Sequence, residues 1–553
     1  MLTRSAGPPP VAVRAVPGRS AVGGWNVYFV LKFVLLWRGL IDFHPLQNLG
    51  FFLLLAVPLS PALRRVRFAA GLPLAVVLLY HDSFLPPIDR LFARAGALAD
   101  FSVPYAIELI GRFVSGPVVA LLAGAFLLLI LARRLIRIST LVLAVLVALA
   151  ASRLVTPAPL AVSVAAVDGG YTGKTGTAAA RPRLSDGGSN AELDRILEKF
   201  YGNEARRVVR LPTPAASQLP FDLLFIHVCS LSWDDIQAAG LELHPLLKSF
   251  DIMFRHFNAA ASYSGPAAIR LNRATCGQSS NDGLYKPVAE SCYLMPSLKR
   301  AGYDINFAMN HDGHFDDFLQ TVRQQGVQAA PLTLVGLPAA LRAFDDSAIQ
   351  DDGAVLSRWR TLRATSTAPR TALYYNTISL HDGNRLAAVA GDGAMSGLQG
   401  YRFRLTRLFD ELESLMQALA SGSRRTVVVM IPEHGAAVRG DRMQIAGLRE
   451  IPTPAITTVP VGIRVIDPTS TAEHDTEYVD SPTSYLALSQ VIARMLEKSP
   501  FGPVPFDPKP YVAGLPTTEF VAENQSVVMR VDDRYFWREE KDRWRPAQFD
   551  PAR

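Results

Sequence analysis

The sequence predicts an α/β protein, with an N-terminal five-helix transmembrane region followed by an α/β sandwich domain. Three observations carry this expectation. Apolar residues make up 49% of the 553-residue chain and mean hydropathy is +0.17, high for a soluble protein and low for one wholly embedded in lipid. Long apolar stretches are confined to the first 155 residues. Beyond residue 219, short continuous apolar runs alternate with helical patterns, as in parallel strands covered by helices on both faces. Charge divides the chain in the same place. Residues 1–155 hold 15 Lys and Arg against 5 Asp and Glu, and the rest holds 41 against 44, so the net +7 comes from the N-terminal part. No basic stripe with interleaved aromatics lies beyond it, which argues against a nucleic-acid partner.

Residues 1–24 are rich in Pro, Gly and Arg and carry neither an apolar run nor a cleavage signature. They are expected to be a cytoplasmic extension. The transmembrane region is expected over 25–156. Stretches at about 46–63, 68–85, 114–132 and 138–155 approach the ~20 residues that a bilayer requires. A weaker one, about 25–43, contains Lys32 and Arg38, which must snorkel or face other helices. Arginines cluster at Arg4, Arg14 and Arg19, at Arg64, Arg65 and Arg67, and at Arg133, Arg134 and Arg137. Five spans with the N-terminus inside put all three clusters on the cytoplasmic side, make 86–112 an external connector, and leave everything after about residue 156 outside. Four spans would leave the later domain cytoplasmic, with at least one cluster on the wrong side.

Residues 157–218 read as a flexible tether plus a connector helix near 191–206, and residues 219–510 as the catalytic domain. Strands are expected at 221–230, 371–380, 426–433 and 457–466. Helices are expected near 236–250, 266–274, 293–301, 314–324, 398–421 and 482–498. A C-terminal tail, 511–553, includes a hairpin around 527–539.

In open α/β sheets ligands bind beyond the carboxyl ends of strands, and there the sequence puts its unusual polar residues. One strand runs into Cys229, another into His381 and Asp382, a third into Glu433 and His434. Ser264, in SYSGPAAIRL, stands where a loop turns into a helix, and a helix N-terminus suits an anion. Cys229, Glu433 and His434 offer S, O and N ligands to a tetrahedral ion such as Zn²⁺, with the fourth position open to Ser264. A bound cation lowers the pKa of a ligated hydroxyl and readies it for attack on phosphorus. Each residue alone also has an ordinary reading as core or turn; the coincidence of all four at strand ends sets them apart. His227, His244, His256, His311 and His314 read by default as structural or surface residues, with His311 and His314, in NHDGHFDD, the leading exceptions, as a substrate-side loop. Of three cysteines, Cys276 and Cys292 flank a local loop and can pair, which leaves Cys229 as the single thiol.

The motifs CSLSWDDI (229–236), ASYSGPAAIRLNRATCGQ (261–278), LHDGN (380–384) and EHGAAVRGDRMQIAGLREIPTP (433–454) closely resemble those of the cellulose phosphoethanolamine transferases of bacterial cellulose secretion systems. The resemblance covers essentially the whole chain from residue 25. It implies an alkaline-phosphatase/sulfatase-like periplasmic domain on a multi-pass inner-membrane anchor, with zinc on Cys229, Glu433 and His434 and Ser264 as nucleophile. It also implies Tyr263, His381 and Arg449 near the substrate phosphate, and a Cys276–Cys292 disulfide. The implied donor is phosphatidylethanolamine, the acceptor the glucosyl 6-hydroxyl of cellulose, and the partner the cellulose synthase complex. Transfer to lipid A or another surface glycan, a scaffolding role, and hydrolysis remain alternatives.

Overall fold

The computed structural model describes residues 22–38, 41, 43–83, 102–103, 116–132, 137–154, 190–387, 397–441, 443–470, 475–539, 542–547 and 549. The chain divides into two compact units, residues 1–88 with 111–176 and residues 89–110 with 177–553.

The first unit holds α1 (Trp25–Trp37), α2 (Pro45–Ala56), α3 (Pro61–His81), α4 (Gly116–Ala132) and α5 (Ile138–Leu154), one on each expected apolar stretch. Among the described residues no helix is long and apolar enough to cross a membrane. Helices α1, α2, α4 and α5 run 13, 12, 17 and 17 residues. The 21-residue α3 carries Arg64, Arg65 and Arg67 near its start. Those arginines were expected between two apolar stretches. They lie inside α3 because Pro61, whose fixed φ suits a first helical position, starts the helix ahead of them. Arg133 and Arg134 fall outside the described residues. Lys32 faces other helices, as its place in an apolar stretch requires. It is 1% exposed, and its Nζ lies 2.5 Å from Asp82 and donates to Asn48 Oδ1 at 2.8 Å.

The second unit is built on a seven-stranded sheet. Its strands are β1 (Asp222–Val228), β2 (Ile252–Asn258), β3 (Asp304–Met309), β4 (Thr371–Thr377), β5 (Thr426–Pro432), β6 (Thr458–Ile466) and β7 (Glu477–Val479), in the spatial order β7-β2-β6-β5-β1-β4-β3. All neighbours are parallel except β6, which runs antiparallel to β2 and β5. Strands β1, β4, β5 and β6 match the four expected from sequence. Strand β2 (IMFRHFN) is broken as a pattern by exposed Arg255 and His256, and β3 lies at the sheet edge. The expected 236–250 helix is instead two: α7 (Trp233–Ala239) ends at Gly240, which takes the left-handed φ of +65°, and Pro245 starts a separate turn, Pro245–Lys248.

Alternation along β1 feeds two cores. Leu223 and Phe225 point to the face covered by α8 (Ser264–Asn272) and α11 (Tyr485–Glu497). Leu224, Ile226 and Val228 point to the face covered by α9 (Asp352–Thr365) and α10 (Gly397–Ala420). Helix α9 was not expected: it is rich in Arg and Thr, and only Val355, Leu356 and Trp359 give it an apolar face, with Asp351 capping its first turn through Ala354 N–H.

Asp222 opens β1 as a buried carboxylate. It accepts from Arg363 Nε and Nη2 at 2.9 Å each and from Thr371 N–H at 2.9 Å. Arg363→Ala leaves that charge buried and unpaired, so unfolding free energy should fall by about 3–5 kcal/mol, read as a lower urea midpoint with an unchanged slope. A midpoint equal to the parent's would mean that water compensates the pair.

Residues 521–547 form a four-stranded antiparallel sheet, Val521–Glu523, Ser526–Val531, Arg534–Glu539 and Arg545–Ala547, around the expected hairpin. Asp532 and Asp533, at φ +48° and +62°, make its tight turn. This sheet shares a core with the connector helix α6 (Asn190–Glu204), where Leu193, Leu197 and Phe200 meet Met529, Phe536 and Trp544.

Candidate metal centre and nucleophile

Three adjacent parallel strands, β5, β1 and β4, end level with one another and continue their ladder into the site. Cys229 N–H donates to Thr377 O at 2.9 Å, Glu433 N–H to Val228 O at 2.8 Å, and Leu231 N–H to His434 O at 2.6 Å. The ladder therefore sets Cys229 beside Glu433 and His434, and all three are 0% exposed. One ligand atom from each lies within 4.8 Å of the others. Ser264 begins α8, and its Oγ lies 3.4 Å from Cys229 Sγ and 3.5 Å from His434 Nε2.

The surroundings aim these atoms inward. His434 Nδ1–H donates to Gly435 O at 2.9 Å, which leaves the Nε2 lone pair for the centre. Glu433 Oε1 accepts from Asn376 Nδ2 at 2.6 Å, whereas the buried Oε2 has no hydrogen-bonding partner. Burial, then Glu433, pushes the Cys229 thiol up to about 12. Burial also raises Glu433 and holds His434 well below the usual imidazole range. An orphaned carboxylate oxygen beside a thiol and an oriented imidazole is costly in a protein interior, and a divalent cation satisfies all three together. The donor set of one sulfur, one oxygen and one nitrogen fits zinc.

Arg449 and His381 complete the surroundings. Arg449, 8% exposed, donates from Nη1 to Ser230 Oγ at 3.0 Å and sits 5.5 Å from the ring centre of Tyr263, while its Nε has no partner. Tyr263 in turn donates to Glu450 Oε1 at 2.7 Å. His381 Nδ1–H donates to Asp382 O at 2.8 Å. Burial of its ring and the nearby Arg449 lower it to about 4, so it is neutral at physiological pH although one edge opens on a cleft. That cleft, of about 430 Å³, is lined by Tyr263, Ser264, His381 and Arg449.

These features stand beside clear relatives. Residues 177–544 match the family model of the C-terminal domain of the cellulose biosynthesis protein BcsG, and residues 25–151 match that of its N-terminal domain. The chain belongs to the BcsG family. It is 38% identical over 547 residues to the BcsG protein of Escherichia coli strain K12, with 95% of this chain and 96% of the relative covered. It is also 38% identical over 529 residues to the BcsG protein of Salmonella typhimurium strain LT2, with 92% and 93% covered. Among solved structures, a protein of the alkaline phosphatase superfamily from Vibrio parahaemolyticus aligns with TM-score 0.44 at 13% identity, covering 65% of this chain and 91% of that one. The C-terminal periplasmic domain of EcEptC from Escherichia coli, in complex with Zn, aligns with TM-score 0.41 at 15% identity, covering 57% and 94%.

In this BcsG family member Cys229, Glu433 and His434 come together beside Ser264, and Tyr263, His381 and Arg449 line the same cleft as Ser264. His311 and His314, read by default as structural or surface residues with a substrate-side loop as the exception, line the cleft. Cys276 and Cys292 are bonded, S–S 2.05 Å, and Cys229 is free. Several residues escaped the sequence reading. His227, read there as structural, stands with Nδ1 3.5 Å from Glu433 Oε1. Asn376, inside β4, orients Glu433 and is itself held by His311 Nε2 at 2.8 Å from its Oδ1. Buried Asp235 closes a capping box with Ser232 and accepts from Ala436 N–H at 2.7 Å and Val438 N–H at 3.2 Å, so it ties the loop after Cys229 to the loop after His434. A Cβ at Gly435 would lie 2.6 Å from Ser232 Oγ, so this position admits glycine alone. Asn524, in the segment expected as a tail, donates to Glu450 O at 2.8 Å and to Ser262 Oγ at 2.9 Å and borders the cleft.

Proposed function

We propose that this BcsG family member transfers phosphoethanolamine from phosphatidylethanolamine to the 6-hydroxyl of glucosyl units in cellulose, through a phosphoethanolamine–Ser264 intermediate. The convergence of Cys229 Sγ, a Glu433 carboxylate oxygen and His434 Nε2, with the Ser264 hydroxyl 3.4 Å from the sulfur and 3.5 Å from the imidazole nitrogen, carries this reading. Zinc, when bound there, would supply a positive charge that favours the serine alkoxide.

The chain's own residues do the rest. Ser264 Oγ forms a bond to phosphorus as the bond to the diacylglycerol oxygen breaks; the glucosyl 6-oxygen then takes the phosphorus and Ser264 is restored. Arg449, with its unpartnered Nε, balances the phosphate charge. His381, neutral and with Nδ1 tied to Asp382 O, keeps Nε2 to receive the proton of the attacking hydroxyl and return it to the leaving oxygen. Tyr263, braced on Glu450, shapes the phosphate side of the cleft. Incubation with phosphatidylethanolamine followed by peptide mass analysis tests the reading: phosphoethanolamine is expected on Ser264, and its appearance on another residue, or nowhere, overturns it.

The donor is a membrane lipid, and the N-terminal unit supplies the anchor. The proposed topology has five passes through the inner membrane with the N-terminus cytoplasmic, and the catalytic unit in the periplasm beside the cellulose synthase complex. Alkaline phosphatase fused after residue 170 should be active in a bacterial host, and an inactive fusion would refute this topology.

A further inference from the structure

The cleft is far from uniform, and one wall bears no role in the chemistry above. From His381 outward two rings follow one another, and a third lines the same cleft. Phe344, 5% exposed, lies 5.3 Å from the His381 ring at 38°. Phe315, 41% exposed, lies 4.7 Å from Phe344 at 77°. Tyr285, 66% exposed, also lines the cleft. Exposed aromatic rings lose free energy in water, and this edge-to-face pair, graded from buried Phe344 to open Phe315, leaves apolar surface on the cleft wall for something flat.

The loops that carry these rings are held in costly conformations. Asp316, Asp317 and Asp346 all take left-handed backbone angles, at φ +51°, +49° and +70°. Such strain persists only where the surroundings over-determine it, and it gathers at ligand clamps. A bridge locks the two loops together: His314 places Nδ1 2.5 Å from Asp312 Oδ1 and Nε2 3.1 Å from Asp345 Oδ2. Beside the aromatic wall, Asp312, its side chain 63% exposed, is thus held by His314, and Asp345 is held by the same ring.

We infer that Phe315, backed by Phe344, is the platform on which the acceptor glucan strand lies, with rim carboxylates receiving its hydroxyls. This rests on the phosphotransfer reading of Ser264 and adds the residues that select the acceptor. A β-linked glucosyl unit is flat, with C–H groups on both faces and hydroxyls around its edge. It therefore needs aromatic faces above and hydrogen-bond acceptors at the side, and this wall offers both. A fatty acyl chain would desolvate the rim carboxylates without compensation, which argues against a lipid tail as occupant. Continuity with His381 puts a strand on this platform within reach of the phosphorylated serine. Phe315 therefore positions the acceptor and takes no part in bond making.

The test uses the full chain in detergent micelles and cellohexaose as the acceptor probe. In Phe315→Ala, loading of Ser264 from phosphatidylethanolamine should stay within about twofold of the parent, while cellohexaose should bind roughly tenfold more weakly by saturation-transfer NMR. Discharge of the loaded serine by cellohexaose should slow by a similar factor at low acceptor and recover at high acceptor. Phe315→Trp, which keeps a flat ring, should restore both. Unchanged cellohexaose affinity in Phe315→Ala overturns the proposal, and so does a parallel loss of loading, which would assign the wall to the donor headgroup. A parent that binds cellohexaose through Phe315 but forms no serine adduct would remove the phosphotransfer reading and keep the glucan platform.

Discussion

Ser264→Ala is expected to abolish the covalent phosphoethanolamine adduct and to lower transfer by about 10⁴-fold or more, the scale of loss when an enzyme's nucleophile is deleted. The substitution removes one oxygen. That oxygen lies 3.4 Å from Cys229 Sγ and 3.5 Å from His434 Nε2, and Ser264 is only partly buried at the start of α8, so the fold should be undisturbed. Metal content should therefore stay near the parent's, which separates loss of the nucleophile from loss of the site. Residual transfer above about 1% of the parent's, with an adduct on some other side chain, would show that Ser264 is a bystander and that the helix N-terminus serves another group.

Cys229→Ala should have the second largest effect, through metal retention. Changing even an outer hydrogen-bond partner of a metal ligand typically weakens binding by about 10–100-fold, so deleting the sulfur ligand itself should exceed that range. The thiol is fully buried, and the serine and two ligands it faces remain. Purified variant protein should carry far less than one equivalent of zinc by elemental analysis. Competition with a chromogenic chelator should strip the remainder at concentrations that leave the parent loaded. Transfer should fall in step with occupancy and recover in part at high added zinc. A variant that holds zinc as tightly as the parent would remove Cys229 from the ligand set. Thermal unfolding gives an independent reading, because tight metal binding stabilises the native state by mass action. The parent's midpoint should drop on chelation, and the variant's should not move.

The two experiments divide the site by function. The first removes the atom proposed to form the bond to phosphorus, and the second removes a proposed ligand of the metal that would make this atom reactive. Asn376 and Asp235 lie one layer further out, where they set the direction of Glu433 and the path of the loop behind His434. The backbone reinforces them. Ser230, directly after Cys229, takes a left-handed φ of +63° and presents its hydroxyl to Arg449.

Much of this architecture was legible in the residues themselves. Strands β1, β4, β5 and β6 are continuous apolar runs because both faces of the sheet are covered, and that requirement is written into composition. Cys229, His381, Glu433 and His434 stood out because polar residues directly after such runs lie at the strand ends where ligands bind. Other elements left no local signature. Strand β2 shows no continuous apolar run because its polar pair, Arg255 and His256, falls where the register with β6 shifts, and only the flanking residues pair with β6 and β7. The break at Gly240 needed a tertiary context to be preferred over a continued helix.

Sequence by itself thus determined the two-part layout, the covered sheet and which polar residues end its strands, because these follow from where apolar residues fall along the chain. Only the tertiary structure decided that Asn376 and His227 attend Glu433, that Asp235 ties two loops, and that Asn524 borders the cleft. These residues lie 57, 206, 201 and 74 positions from the groups they meet. Their roles arise from strand order and register, which bring distant backbone together, and a hydrogen bond across such a distance leaves no periodicity in the chain that forms it.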